Sequence, residues 1–190
     1  MSNTLYLSNQ LLIAMPALGD PRFERSVVLV CEHNREGAMG IVINKAMQLS
    51  LADILNYIGH LSKDTDDRAL SIPIFWGGPL DRNKGFIVHR SIGHWSNTQA
   101  IGESLAVTTS QDILHALASG RGPVNESLVC FGCARWYPGQ LEQEIAENVW
   151  LTMPASPAVL FNCPTPNRWT MAAAQMGIDF NYLSYDVGHA

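Results

Sequence analysis

A chain of 190 residues with 47% hydrophobic and only 15% charged residues has the composition of a folded protein with a well-filled interior, which excludes intrinsic disorder. The net charge is −5, with 12 Lys and Arg against 17 Asp and Glu, and the basic residues form no run. Because non-specific DNA affinity comes mainly from grouped Lys and Arg, direct nucleic-acid binding is disfavoured. No apolar run approaches the ~20 residues of a membrane span, and no basic segment precedes the first apolar run. We therefore expect no membrane segment, no signal peptide and a cytoplasmic location.

The first forty residues predict paired strands. A short apolar run extends from Gln10 to Ala14, and two β-branched runs follow at residues 26–32 and 38–44. Between these two runs lies a polar loop that ends in Gly37, where a tight turn favours glycine. This pattern predicts a β-hairpin.

The next segment predicts one helix and two further strands. Ser50 and Asp53 have the spacing of a helix N-cap and its capping-box partner. The helix that follows has an apolar face made of Leu51, Ile54, Leu55 and Ile58. Residues 72–76 and 85–89 are predicted strands, and we expect them to pair with each other as a second hairpin.

The second half alternates strands with helices. Residues 104–108 form a predicted strand, and Ser110 is the predicted N-cap of the helix after it. Residues 128–136 are an apolar run that turns sharply before Gly139 and continues as a polar helix. Asn167 is the predicted N-cap of the last helix, and residues 178–190 receive no assignment.

Early hairpins and later strand–helix alternation indicate an α/β protein with a mixed sheet and packed helices. We expect one domain over residues 1–190, and a small hairpin-rich subdomain within residues 50–100 is an open alternative.

Cys130 and Cys133 have the C-x-x-C spacing of a redox site or of half a zinc site. Both lie within one apolar strand, where residues three apart point to opposite faces, and neither opens a helix that would lower the thiol pKa. Cys31 and Cys163 lack a partner at similar spacing. The favoured interpretation is four buried, unreactive thiols in a reducing compartment.

The turn after the 128–136 strand carries most of the candidate site residues. Glu142, Glu144 and Glu147 with Gln140 resemble a catalytic carboxylate cluster, although solvated glutamates near a helix N-terminus are the favoured interpretation. Arg135 and Trp136 precede the turn, and Arg135 is the expected charge partner of these acids.

Two other turns complete the candidate site. Glu32, His33 and Asn34 at the tip of the first hairpin suit acid–base chemistry, although a polar loop is the commoner explanation. Gly77 and Gly78 form a glycine turn without the pattern of a dinucleotide-binding loop. Nucleophile-elbow, P-loop and metalloprotease motifs are also absent, so we expect no catalytic residue, no metal and no cofactor.

The sequence resembles the AlgH/YqgE family of bacterial proteins over nearly its whole length. The segments that carry the resemblance are Leu12-Ile13-Ala14-Met15-Pro16, Asp20-Pro21-x-Phe23-x-x-Ser26-Val27-Val28, Glu32-His33-Asn34-x-x-Gly37-Ala38-Met39-Gly40, Asn44, Gly77-Gly78-Pro79, Gly139-Gln140-Leu141-Glu142-x-Glu144-Ile145 and Trp150-Leu151. The resemblance implies a cytosolic α/β protein whose relatives are labelled transcriptional regulators. It transfers no catalytic residues.

Three functional hypotheses follow. The favoured one is a regulator that acts indirectly, through a protein partner or a small ligand bound where the 32–37 tip, the 77–79 turn and the 135–144 turn approach one another. The second is a direct DNA-binding regulator, which a basic stripe on the folded surface would indicate. The third is an enzyme of unknown type, which would bring Glu32, His33, Arg135 and Glu144 into one cleft.

Overall fold

Ten strands form one curled sheet in the computed structural model, which describes residues 6–180. They are β1 (Gln10–Ala14), β2 (Val27–Asn34), β3 (Gly37–Val42), β4 (Ala46–Ser50), β5 (Pro73–Trp76), β6 (Leu80–Arg90), β7 (Thr98–Ile101), β8 (Leu105–Thr108), β9 (Ser127–Trp136) and β10 (Trp150–Pro154). The order along the sheet is β10-β1-β2-β3-β9-β6-β8-β7, and β4 joins through β5, which also pairs with β9. The β5–β9 pairing is parallel, and the other pairings are antiparallel. The mixed α/β class is thereby confirmed.

Five short α-helices pack on the described part of this sheet. They are α1 (Leu51–Tyr57), α2 (Asp67–Leu70), α3 (Asp112–Ala118), α4 (Gln140–Ala146) and α5 (Arg168–Gln175). Short 3-10 turns occur at Pro21–Phe23, Val124–Glu126 and Thr165–Asn167, with a π-helical turn at Ala158–Asn162. Among residues 6–180, no helix is long and apolar enough to cross a membrane.

The sheet is buried on both faces, which explains its nearly continuous apolar strands. In β1, Leu11 and Ile13 face the inner core that the curled sheet shares with α5, whereas Leu12 and Ala14 face the opposite side. On that opposite side, Leu141 of α4 covers one half of the sheet. The other half is covered by α1 and α3. Most buried apolar residues of the strands therefore belong to one of three clusters.

The first predicted hairpin is confirmed. Val28 of β2 lies opposite Val42 of β3, and Asn34 lies opposite Gly37 at the tip. The register shifts between Val30 and Glu32, which marks a bulge in β2. The helix start is also confirmed, since the backbone N–H of Ser50 donates to the carboxylate of Asp53 at 2.7 Å.

The second predicted hairpin is wrong, because β9 lies between the two strands. Phe75 of β5 pairs with Cys130 of β9 in parallel, and Phe86 of β6 pairs with the same residue in antiparallel register. The chain crosses β9 at Gly77-Gly78, where the two backbones touch. A Cβ on Gly78 would lie 2.1 Å from the carbonyl carbon of Cys133. A crossover thus replaces the tight turn that sequence proximity suggested.

The predicted N-cap residue is wrong for one of the later helices and right for the other. Helix α3 begins at Asp112 with Gln111 at its N-cap position, because the hydroxyl of Ser110 donates to the Asp112 side chain and accepts the backbone N–H of Asn97 instead of an amide of the helix. Asn167 occupies the N-cap position of α5 as predicted, and Trp169 of that helix is buried. Of the unassigned segment 178–190, residues 181–190 lie outside the described part of the chain, as do residues 1–5.

His89 makes the stability of this fold depend on pH. Its side chain is 1% exposed, with Nε2 2.8 Å from the Thr108 hydroxyl and Nδ1 2.6 Å from the carbonyl oxygen of Arg90. Burial lowers the pKa of His89 below its ordinary value of 6.5. The unfolded chain therefore binds a proton at a higher pH than the folded chain does. It follows that the free energy of unfolding falls as the pH drops from 6.5 through the folded-state pKa.

We expect urea unfolding at about pH 5.5 to give a smaller free energy of unfolding than at about pH 7.5, and His89→Gln to reduce the difference, since glutamine does not titrate. The exposed His94 supplies the control: His94→Gln should keep the wild-type difference. Equal pH dependence in wild type and His89→Gln would contradict the role of His89.

Candidate functional site

The strand–turn–helix segment that ends β9 has the predicted form. Gly139 adopts a positive φ of 78° at the N-cap position of α4. The backbone N–H of Tyr137 donates to Oε1 of Gln140 at 2.9 Å, which closes the turn. This geometry directs Trp136 and Glu144 to the same side of the sheet.

The carboxylate of Glu144 is held by three side-chain donors. Oε2 accepts the indole N–H of Trp136 at 2.8 Å and that of Trp150 at 2.7 Å. Oε1 accepts the side-chain amide of Gln140 at 2.9 Å. The interpretation of Glu144 as a solvated helix residue is therefore wrong. The Glu144 carboxylate fixes two indole rings, because hydrogen bonds to a charged acceptor are stronger than those between neutral groups.

A cleft of about 460 Å³ opens beside these rings. We call it the aromatic cleft, and its lining includes Leu18, Phe23, Trp136, Gln140, Glu144 and Trp150 together with the charged residues Asp20, Arg22 and Arg135. The ring centroid of Phe23 lies 5.9 Å from that of Trp150 in an edge-to-face arrangement, and Trp136 and Trp150 lie 6.2 Å apart in the same way. The cleft is therefore walled by rigid aromatic side chains, with a few polar groups whose positions are fixed.

A second cleft of about 390 Å³ lies on the other side of Arg135 and Trp136. We call it the hairpin cleft, and Glu32 and Asn34 line it. The Asn34 side-chain amide donates to Glu32 at 2.8 Å. Arg135 and Trp136 line both clefts. The hairpin tip and the β9 turn therefore do come together, as the sequence predicted.

Arg135 pairs with an acid that the sequence analysis missed. Its Nη2 donates to Asp81 at 3.1 Å, and no ion pair joins Arg135 to Glu142 or Glu144. The hydrogen bond to Asp81 raises the pKa of Arg135, and the same bond lowers the pKa of Asp81. About half of each side chain is exposed, so this pair contributes little to stability. The predicted pairing with the helix glutamates is wrong.

His33 and Glu142 meet behind the clefts. His33 is 4% exposed, and its Nδ1 accepts the backbone N–H of Leu7 at 3.0 Å. A nitrogen that accepts carries no proton, so the proton of a neutral ring lies on Nε2, which is 3.0 Å from Oε1 of Glu142. Glu142 is therefore the partner of a buried histidine, although 38% of its own side chain is exposed. The pair joins β2 to α4.

Gly77 and Gly78 are buried and line neither cleft. The N–H of Gly77 donates to the carbonyl of Phe131 at 2.7 Å, and its own carbonyl accepts from Val42 at 2.8 Å. Because glycine has no side chain, the backbone at these two positions packs directly against neighbouring backbone. The neighbouring Pro79 lines the aromatic cleft, so the turn approaches the site without contributing its glycines.

The four residues of the enzyme hypothesis do not share a cleft. Glu32 and Arg135 line the hairpin cleft, Glu144 lines the aromatic cleft, and His33 of β2 is buried against Leu7 and Glu142 of α4. Glu144 already accepts from three donors. The geometry therefore does not assemble these four residues in the way that the enzyme hypothesis requires.

Cys130 and Cys133 do not point to opposite faces, and that expectation is wrong. Gly132 between them adopts a φ of 85° where the register of β9 against β6 shifts. Both cysteines join Cys31 in the inner core. Burial raises the pKa of Cys130 to about 12 and also raises the pKa of Cys31. Among residues 6–180, no group of three or more His, Cys, Asp or Glu side chains is arranged to hold a metal ion.

The buried thiols give a chemical prediction. At about pH 8, a thiol with a pKa near 12 is almost wholly protonated, and the thiolate is the reactive form. We expect Cys130 and Cys31 of the native protein to react with a disulfide reagent hundreds of times more slowly than in denaturant, as followed by mass spectrometry of labelled peptides. Rapid labelling of Cys130 in the native protein would contradict this.

A model of the AlgH-like family, DUF179, matches residues 11–181 of the chain. The chain belongs to this family. A UPF0301 protein from Nitrosococcus oceani is 45% identical over 190 residues, covering 100% of both chains. A UPF0301 protein from Thioalkalivibrio sulfidiphilus is 47% identical over the same share. The family assignment therefore holds along the full length of the chain.

Solved structures support the same assignment. The solution structure of the AlgH protein from Pseudomonas aeruginosa superposes with a TM-score of 0.77 at 43% identity, over 100% of this chain and 99% of that one. A crystal structure of a protein from Corynebacterium diphtheriae superposes with a TM-score of 0.69 over 92% of this chain and 90% of that one. At 20% identity, this second match shows the fold alone.

Proposed function

We propose that this AlgH-like protein is a cytoplasmic regulatory protein that acts through a ligand bound in the aromatic cleft, without gripping DNA directly. The observation that carries the proposal is the fixed pair of indoles, Trp136 and Trp150, on one carboxylate oxygen of Glu144. Rings held in this way need no reordering when a ligand arrives, which removes part of the entropic cost of binding. Regulation itself is inferred from the family resemblance.

The size and lining of the cleft suit a small molecule or a single side chain of a partner. Ligand sites commonly enclose roughly 300–1,000 Å³, with apolar and aromatic walls and a few placed polar groups. The aromatic cleft, of about 460 Å³, has Phe23, Trp136 and Trp150 as walls, with Gln140 and Glu144 as its fixed polar groups. Its chemistry favours a flat apolar group.

Direct DNA binding has weak support in the described part of the chain. The α-helices there have four to eight residues, and each buries at least one residue in the fold. A helix that reads the major groove must present a free face with several side chains to the bases. The formal charge of −5 also opposes association with a polyanion.

The direct test is a fluorescence-anisotropy titration of mixed-sequence duplex DNA at about 20 mM and about 150 mM salt, because low salt strengthens phosphate contacts. We expect no saturable binding at either concentration up to high micromolar protein. Saturable, salt-sensitive binding would contradict an indirect mechanism and assign the regulatory role to DNA contact.

A further inference from the structure

A third cleft, of about 550 Å³, adjoins the aromatic cleft and carries three positive charges. We call it the basic cleft, and its lining is Arg22, Lys45, Ala46, Trp76, Pro79 and Arg82. It shares Arg22 and Pro79 with the aromatic cleft. Among residues 6–180, no acidic side chain lines it. In a protein with a net charge of −5, three cations around one opening are a local reversal of charge.

The fold brings these cations together from distant parts of the sequence. Lys45 follows β3, and its ammonium donates to the carbonyl of Glu24 at 2.6 Å, which ties it to the turn that carries Arg22. The backbone N–H of Trp76 donates to the carbonyl of Lys45 at 2.8 Å. Arg82 comes from the stretch of β6 between the two registers of its pairing with β9. Strand pairing and the hydrogen bond from the Lys45 ammonium therefore bring the three residues to one opening.

The three cations differ in how far they are already neutralised. Arg22 forms a two-pronged pair with Asp20, with contacts of 2.7 and 3.0 Å. Within residues 6–180, Lys45 and Arg82 have no carboxylate within salt-bridge distance. Two unpaired charges beside a positioned guanidinium form a suitable site for a phosphate-like group, because guanidinium groups bind such oxygens bidentately.

Phe23 forms the wall between the two clefts. Its ring centroid lies 5.8 Å from that of Trp76, which lines the basic cleft, and 5.9 Å from that of Trp150, which lines the aromatic cleft. The two clefts therefore lie side by side, with Arg22 and Pro79 lining both. We propose that the two clefts form a single site for an aromatic anion, with its ring in the aromatic cleft and its phosphate-like group at Arg22, Lys45 and Arg82.

The number of cations favours a small anion over a duplex. Double-stranded DNA is held by proteins that typically make about 6–10 phosphate contacts. The basic cleft offers three cations, of which Arg22 is already paired. This number of cations suits a ligand that has one phosphate group and an attached ring. The inference rests on the proposed ligand-binding function, and it adds the charge and the chemical class of the ligand.

The test uses three probes by isothermal titration calorimetry on the full-length protein: 1-naphthyl phosphate, 1-naphthol and inorganic phosphate. We expect naphthyl phosphate to bind at least about tenfold more tightly than either half, because joining the halves removes the cost of ordering the second one. Arg82→Ala should weaken naphthyl phosphate about tenfold and leave naphthol unchanged. The matched control is Lys84→Ala, since this exposed cation of the same strand does not line the basic cleft.

The outcomes separate this inference from the proposed function. If naphthol binds and the phosphate adds no affinity, the aromatic cleft stands as a ligand site and the anion assignment is overturned. If none of the three probes binds, both are overturned. Equal losses in Arg82→Ala and Lys84→Ala would show a general charge effect and contradict a built site. Duplex DNA that displaces naphthyl phosphate, and that Arg82→Ala releases, would overturn the assignment to a small anion.

Discussion

Gly78→Ala is expected to lower the free energy of unfolding by more than about 4 kcal/mol, or to prevent folding, because strain and overpacking would act at one position. Gly78 has a φ of 153°, and a Cβ there would lie 2.1 Å from the carbonyl carbon of Cys133 and 2.2 Å from its oxygen. These are backbone atoms of the central strand β9, so no side-chain rotation can relieve the contact. Urea unfolding followed by tryptophan fluorescence measures the change.

Gly59→Ala separates crowding from backbone strain. Gly59 also has a positive φ, of 74°, but nothing lies within 4 Å of the position of its Cβ. The left-handed conformation alone should cost about 1–2 kcal/mol. A loss at Gly78 no larger than that at Gly59 would show that the chain does not cross β9 as closely as described.

Glu144→Ala is expected to lower the free energy of unfolding by about 2–4 kcal/mol, since each buried donor left without a partner costs about 1–3 kcal/mol. The substitution removes the acceptor of the Trp136 and Trp150 indole N–H groups and of the Gln140 amide. The freed rings should also become mobile, which tryptophan fluorescence lifetimes would report. Chemical denaturation gives the stability change.

Two further variants sharpen this test. Glu144→Gln keeps one oxygen for the indoles but points an amide at the Gln140 amide, which cannot turn because its oxygen accepts from Tyr137. We expect it to cost about 1 kcal/mol. Glu147→Ala removes an exposed glutamate just after the same helix and should change stability by less than about 0.5 kcal/mol. Similar losses of stability for Glu144→Ala and Glu147→Ala would contradict the role of Glu144 in holding the two indole rings.

Local patterns predicted the elements that depend on local physics. The hairpin around Gly37 and the helix start at Ser50 follow from turn chemistry and capping, which act over a few residues. The turn before Gly139 was likewise visible, because a positive φ at that point favours glycine. Each of these features has its cause within a short segment of chain.

The arrangement of strands could not be predicted in the same way. Residues 72–76 and 85–89 are close in sequence, yet β9 from residues 127–136 separates them. The bulge at Gly132 also has a distant cause, since a Cβ there would lie 2.4 Å from the carbonyl oxygen of Gly78. Both features arise from contacts between segments that lie about forty or more residues apart in sequence.

The candidate site was only half predictable for the same reason. Trp136, Gln140 and Glu144 lie on one turn, so the sequence placed them together. Phe23 and Trp150, which complete the aromatic cleft, appeared only within the segments of family resemblance. Periodicity had no means of showing that one carboxylate binds two indoles. A polar residue in helix register looks solvated unless its partners on other strands are known.

The basic cleft left no signal in the sequence at all. Arg22, Lys45 and Arg82 are more than twenty residues apart, and none of them belongs to a run of basic residues. Their meeting depends on the crossover at the glycine turn and on the pairing of β5 with β9. Counting charges along the sequence detects runs of basic residues. It does not detect a cluster of basic residues that forms only when distant strands pair.

The central claim is that the aromatic cleft binds a ligand, and nitrogen–proton correlation spectra of the indole groups test it most directly. The chain has five tryptophans, and their indole N–H signals report separate sites. On titration with 1-naphthol, we expect the signals of Trp136 and Trp150 to shift in a saturable way. The signal of Trp169, whose indole donates to Ala14 within the core, should stay in place. Unchanged Trp136 and Trp150 signals at saturating naphthol, or shifts confined to other tryptophans, would contradict the account.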